Sequence, residues 1–230
     1  MFITLTLYLN LKQNAMAEIP DGPYGAMRGK AGNLVGYVLH GKNFLRQKPS
    51  KRTGVTSEAE LANRDKFRKV QSFVKPILQF VKVGFKDYGT LTGGYKSAVS
   101  NIRLNAVEGM YPDQFVNPAL VKVSGGDLAA PETAEASLEG DDLLRFTWSK
   151  KGGIPYDQAM LLAYDPINQQ TFMQTAAGFR KDGTDTLQLY RINKVATYHI
   201  YLGFVAKDRS RQAHSLYLGT VELPARQLKR

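Results

Sequence analysis

GPYGAMRGKAGNLVGYVLHGKNFLRQKP, residues 22–49, carries glycines at 22, 25, 29, 32, 36 and 41 and five basic side chains among its apolar ones. So many glycines make a poor helix, because each loses more backbone freedom there than alanine does. Its apolar positions are too regular for a flexible linker. The stretch reads as a basic β-ribbon standing ahead of a compact domain. Two short strands, 33–40 and 43–48, flank a turn at Gly41-Lys42, where a leading glycine suits the positive φ of a tight hairpin. Gly36 in mid-strand implies a bulge or a close backbone approach, and Pro49, with no N–H to donate, ends the pairing. Gly25 to Lys30 is not a phosphate-binding loop. Its glycines are one residue too close, and Ala31 stands where that motif needs a hydroxyl.

Outward from the ribbon, Ser57 with Glu60 three residues on forms a capping box, so a helix is expected from Glu58. Leu61, Phe67, Val70, Val74, Ile77, Leu78 and Val81 recur at three and four, which marks one buried stripe. Pro76 removes an intrahelical donor, predicting a kink or a break there. Phe67, Phe73, Phe80 and Phe85 are read as core, with base stacking the sharper alternative. A second helix is expected over 94–108, stopped by Gly109, and 111–118 reads as a linker and domain boundary.

After that boundary the period changes from helical to alternating. Short strands are expected near 120–124, 133–138, 143–148, 158–164, 170–175, 184–190, 196–206 and 214–222, separated by Gly, Asp and Pro turns. That spacing predicts an antiparallel sandwich. The fold class is therefore α+β. The expected parts are an N-terminal strand or over-long translation start (1–15), the ribbon (16–56), a helical segment (57–109), the sandwich (119–223) and a basic tail (224–230). Residues 1–15 alternate strictly, like an edge or donated strand. A signal peptide fits them less well, because no basic residue precedes the apolar part. The over-long start, with Met16 as the true beginning, is the favoured reading.

The run LQLYRINKVATYHIYLGFVAKD, 187–208, resembles the E–F region of fibronectin type III and immunoglobulin-like domains. The resemblance makes Tyr198 a tyrosine-corner candidate and Trp148 the aromatic between the sheets. From 16 to 222 the chain resembles a family of uncharacterised proteins common in Bacteroidota-type bacteria. The residues that carry this are GPYGAMRGKAGNLVG, TSEAELANRDKF and GFKDYG. Ser57 and Glu60 depart from it, since relatives often carry Pro and Gln there. The resemblance implies the architecture and no activity.

Charge is unevenly placed. Residues 16–100 hold 15 Lys/Arg against 6 Asp/Glu, whereas 101–230 hold 15 against 14. The positive field in the first half favours a polyanion or an acidic face of a neighbouring subunit. Arg28, Lys30, Lys42, Arg46, Lys48, Lys51 and Arg52 on the ribbon, with Arg64, Arg68 and Lys69 on the helix, are the candidate contact residues.

With no cysteine, disulfides and thiolate chemistry are excluded. His40, His199 and His214 lack the helical spacing of a metal pair, although the last two are candidates for neighbours across adjacent strands. Asp141, Asp142 and the carboxylates of 182–185 fall in turns, where Asp bonds its own backbone. No cofactor, metal or catalytic residue is expected, and no apolar run reaches the length of a membrane span.

The expectation is a non-enzymatic homo-oligomer assembling through the ribbon, as a particle, phage-like or filament subunit. A nucleic-acid binder using the ribbon and helix face is the first alternative, and a secreted adhesion or glycan-binding module the second. A cytoplasmic or phage-particle setting is favoured over secretion.

Overall fold

A computed structural model describes residues 25–39, 41–51, 53–86 and 93–226. His40, Arg52, the strand or start expected at 1–15 and the end of the basic tail lie outside them. The chain divides into two compact units, Met1–Val55 and Thr56–Arg230.

The first unit is an antiparallel meander of three strands, β1 (Gly29–Ala31), β2 (Leu34–Leu39) and β3 (Lys42–Gln47). The strand β1 was not legible in the sequence. Leu39 pairs with Lys42, so Lys42 belongs to the strand and not to the turn. Gly41, with φ +74°, supplies the left-handed conformation next to it. Gly36 is a close approach and not a bulge: its register is continuous on both sides, and a Cβ there would sit 2.1 Å from the Met27 carbonyl oxygen.

In the second unit, α1 (Glu58–Val74) begins where the capping residues place it, with the Ser57 hydroxyl accepting the Glu60 N–H at 3.3 Å. The proline at 76 divides the helix, and α2 (Leu78–Gly84) follows. Next come α3 (Gly94–Asn105) and a small hairpin of β4 (Val107–Glu108) and β5 (Phe115–Val116). Thus α3 is shorter than expected and the supposed linker holds a hairpin, opened by Gly109 at φ +82°.

Seven of the eight expected strands form: β6 (Ala134–Glu139), β7 (Leu143–Trp148), β8 (Gln158–Asp165), β9 (Gln170–Gln174), β10 (Thr184–Gln188), β11 (Ala196–Val205) and β12 (Leu216–Leu223). The eighth, at 120–124, joins no ladder. Its Val123 and Ser124 N–H groups are taken by the Ser215 hydroxyl instead.

Two antiparallel sheets result, in the orders β10-β7-β6 and β12-β11-β8-β9, arranged as a sandwich. Leu144, Phe146 and Trp148 meet Leu161, Ile200, Leu202 and Phe204 between them. A second core lies on the outer face of the four-stranded sheet. There Phe73, Ile77, Phe80, Val81 and Ile102 from the helices pack on Met160, Leu162, Tyr164 and Tyr201.

The helices and the sandwich, expected as successive parts with a boundary at 111–118, therefore share one compact unit. Alternate residues of β8 and β11 enter opposite cores, so both strands are covered on both faces. Their near-continuous apolar sequence follows from that double burial. Phe67, expected in the core, is 43% exposed, while Phe73, Phe80 and Phe85 are buried.

Candidate functional site

Strand alternation gives the ribbon two chemically distinct faces. Directly paired residues project to the same side, and successive ones to opposite sides. One face carries Lys30, Val35 and Arg46 in a row, then Tyr37 with Phe44, then Leu39 with Lys42. The Tyr37 and Phe44 rings stack at 5.5 Å, and the Arg46 guanidinium lies 5.8 Å from the Tyr37 centroid. The other face holds Leu34, Val38 and Leu45 beside Asn43 and Gln47. Six large apolar side chains of β2 and β3 are 39–58% exposed, and on the two strands only Val35 and Gly36 are better covered. So small a sheet is marginal in isolation, which makes this open apolar surface informative.

The ten sequence-predicted contact residues fall into different situations. Lys30, Lys42 and Arg46 share one ribbon face. Arg28 precedes β1, and Lys48 and Lys51 follow β3, all exposed. Arg52 is outside the described residues.

The three on α1 are engaged within the helix. Arg64 pairs with Glu60 at 2.6 Å, and Arg68 and Lys69 both bind Asp65. Lys69 also donates to the Pro112 and Gln114 carbonyls at 3.0 and 2.5 Å, which ties α1 to the β4–β5 hairpin. The Lys69 hydrogen bond, aided by Arg68, holds the Asp65 carboxyl below its ordinary range. Asp65 stands three and four residues before Arg68 and Lys69, so helical spacing could have shown the carboxylate that gathers them.

His199 and His214 are not neighbours across the ladder. His199 stands opposite Thr220, and its Nδ1 lies 3.0 Å from the Tyr217 hydroxyl; His214 is exposed. Burial, opposed by the Asp165 charge, lowers the His199 imidazole below its ordinary value. The unfolded chain then takes up this proton first as the pH falls. Stability present above about pH 6.5 should decline in the window beneath it. Denaturant midpoints measured between about pH 7 and pH 5 should slope less in His199→Gln than in the native chain. An unchanged slope would show that this ring does not contribute.

Of the turn carboxylates, Asp165, Asp182 and Asp185 serve the backbone, whereas Asp141 pairs with Arg191 at 2.8 Å. Asp165 accepts from the Ile167, Asn168 and Thr197 N–H groups, Asp182 from Phe179, and Asp185 from Gly178 and Thr186. Tyr198 is fully buried on β11, yet among the described residues its hydroxyl has no hydrogen-bond partner, and no tyrosine-corner bond is seen there. Trp148 does sit between the sheets, edge-on to Phe204, with Nε1–H donating to the Arg180 carbonyl at 3.0 Å.

Residues 26–219 match the family of unknown function DUF6266. The chain belongs to this family. The matched span takes in both the DUF6266 ribbon, from just before β1, and the sandwich to within β12. A comparison with curated proteins found no match. Among the described residues no helix of this DUF6266 protein is long and apolar enough to cross a membrane.

Proposed function

We propose that this DUF6266 protein is a non-enzymatic structural or interaction protein that joins further copies of itself through the N-terminal ribbon, as a subunit of a particle or filament. The observation that carries the reading is the open surface of β2 and β3, with six large apolar side chains 39–58% exposed. Leu34, Val38 and Leu45 give one face an apolar character with no cation among them, so two copies can meet there without bringing Lys30, Lys42 and Arg46 together. The strand orders β12-β11-β8-β9 and β10-β7-β6 support an immunoglobulin-like or fibronectin-like body, with β11 between β8 and β12 as strand F lies between C and G.

Light scattering on a sizing column tests the assembly. The native chain should elute as a concentration-dependent oligomer, and Leu34→Lys/Val38→Lys/Leu45→Lys as a folded monomer. A native chain that stays monomeric at high concentration overturns the reading.

A second reading rests on the opposite ribbon face, where three cations frame a stacked tyrosine and phenylalanine. Such a ribbon suits a nucleic-acid groove or single strand. On this reading oligonucleotide binding weakens steeply with salt, and Lys30→Gln/Lys42→Gln/Arg46→Gln lowers the salt slope by about 0.7–0.9 for each phosphate no longer neutralised. Binding indifferent to salt would dismiss it.

A further inference from the structure

Three loops of the sandwich, 149–157, 175–183 and 206–215, hold seven Lys/Arg against three Asp, a net charge of +4. The loops join β7 to β8, β9 to β10 and β11 to β12, and side-chain contacts tie them together. Tyr156 from the first loop meets Phe179 from the second edge-on, with ring centroids 6.0 Å apart. The Lys181 ammonium lies 4.6 Å from the Tyr156 centroid and 5.7 Å from that of Phe179, while Lys207, from the third loop, lies 5.5 Å from the same Tyr156 ring. Two like charges are thus brought to one half-exposed tyrosine. Among the described residues no carboxylate lies within ion-pair distance of either.

Beside them runs a cleft of about 490 Å³, lined by Lys207 and Arg211 and, on its apolar side, by Leu128 and Ile154. Of its carboxylates, Asp157 is offset by a buried cation, while Asp208 keeps its charge at the exposed rim. Asp157 is buried against Arg180 and accepts the Ile154 N–H, and Asp208 accepts from the Ser210 N–H and hydroxyl. Arg211 is held by Asp127 at 3.0 Å. What the site offers a ligand is therefore the two ammonium groups of Lys181 and Lys207 at the Tyr156 ring, next to a small apolar recess whose rim also carries the Asp208 carboxylate.

We propose that this loop cluster binds an acidic peptide segment of a partner protein. Carboxylates on the segment meet Lys181 and Lys207, and an aliphatic side chain enters the cleft against Leu128 and Ile154. A sugar would need open ring faces and free acceptors for its hydroxyls. Here the ammonium groups sit on the Tyr156 ring, and Asp157 and Asp208 are engaged. A nucleic-acid strand would need the same ring for base stacking. Point charges fixed on aromatic rings suit separate carboxylates, and loops clustered at one end of a sandwich are a common place for peptide recognition. The proposal is independent of the ribbon.

Fluorescence anisotropy with a labelled Glu-Glu-Leu-Glu-Glu peptide tests it on the full chain, with oligothymidylate and oligogalacturonate as competitors. The peptide should bind, and Lys181→Gln/Lys207→Gln, two exposed positions, should raise its Kd about tenfold or more. Lys30→Gln/Lys42→Gln/Arg46→Gln should leave that Kd unchanged. Absence of peptide binding overturns the proposal. So does binding that survives the loop substitutions, binding lost only with the ribbon substitutions, or displacement of the peptide from the loops by either competitor at lower concentration.

Discussion

Asp157→Ala should destabilise the second unit by about 3–5 kcal/mol, read as a fall in the urea midpoint followed by Trp148 fluorescence. Arg180 and Asp157 are both buried, and Arg180 Nε lies 3.4 Å from Asp157 Oδ2. The guanidinium also donates to the Ala129 carbonyl at 2.6 Å and lies 4.1 Å from the Phe204 centroid. Desolvation lowers the Arg180 pKa, and the adjacent Asp157 carboxylate opposes that shift. Removing the carboxylate leaves the cation buried without its counter-charge and deprives the Ile154 N–H of its acceptor.

Asp157→Ala/Arg180→Met should be less damaging than Asp157→Ala alone, because the second change removes the stranded charge. A single substitution costing less than about 1 kcal/mol would mean that water reaches the guanidinium, and the buried-pair account would then be wrong.

Phe73→Ala should cost about 3–5 kcal/mol. Phe73 is 5% exposed on α1 and meets the Tyr164 ring of β8 edge-on at 5.0 Å, so its loss opens a cavity between the helical layer and the sheet. The diagnostic outcome is cooperativity. Because α1, α2 and α3 share a core with β8 and β11, helical circular dichroism and Trp148 fluorescence should fall together in both native and variant chains. Trp148 is the single tryptophan and lies between the sheets, away from the helices, which makes the comparison clean. A helical signal that melts well ahead of the fluorescence would show the helices to be a separable appendage.

Local chemistry was legible wherever one residue type dominates its own backbone. Ser57 with Glu60 started α1 and the proline at 76 ended it, while Gly, Asp and Pro spaced the strands of the sandwich. These effects act within four residues of their source, so no neighbour in space is needed to read them. That Lys30, Lys42 and Arg46 share a face was not legible, because β1, which carries Lys30, is not marked in the sequence and Lys42 reads as part of the turn.

Tertiary packing settled the rest, because burial and charge pairing depend on residues distant in the chain. The apolar runs at 158–165 and 196–205 do not reveal that helices cover one face and a second sheet the other. Phe67 and Phe73 are both read as core, yet Phe67 is 43% exposed and Phe73 packs on Tyr164. Lys69, a supposed contact cation, is tied to the Pro112 and Gln114 carbonyls more than 40 residues on, and Tyr156 gathers Lys181 and Lys207 from loops about 26 residues apart. Periodicity reports which side chains share a face; whether that face is covered, and by what, is a matter of chain topology.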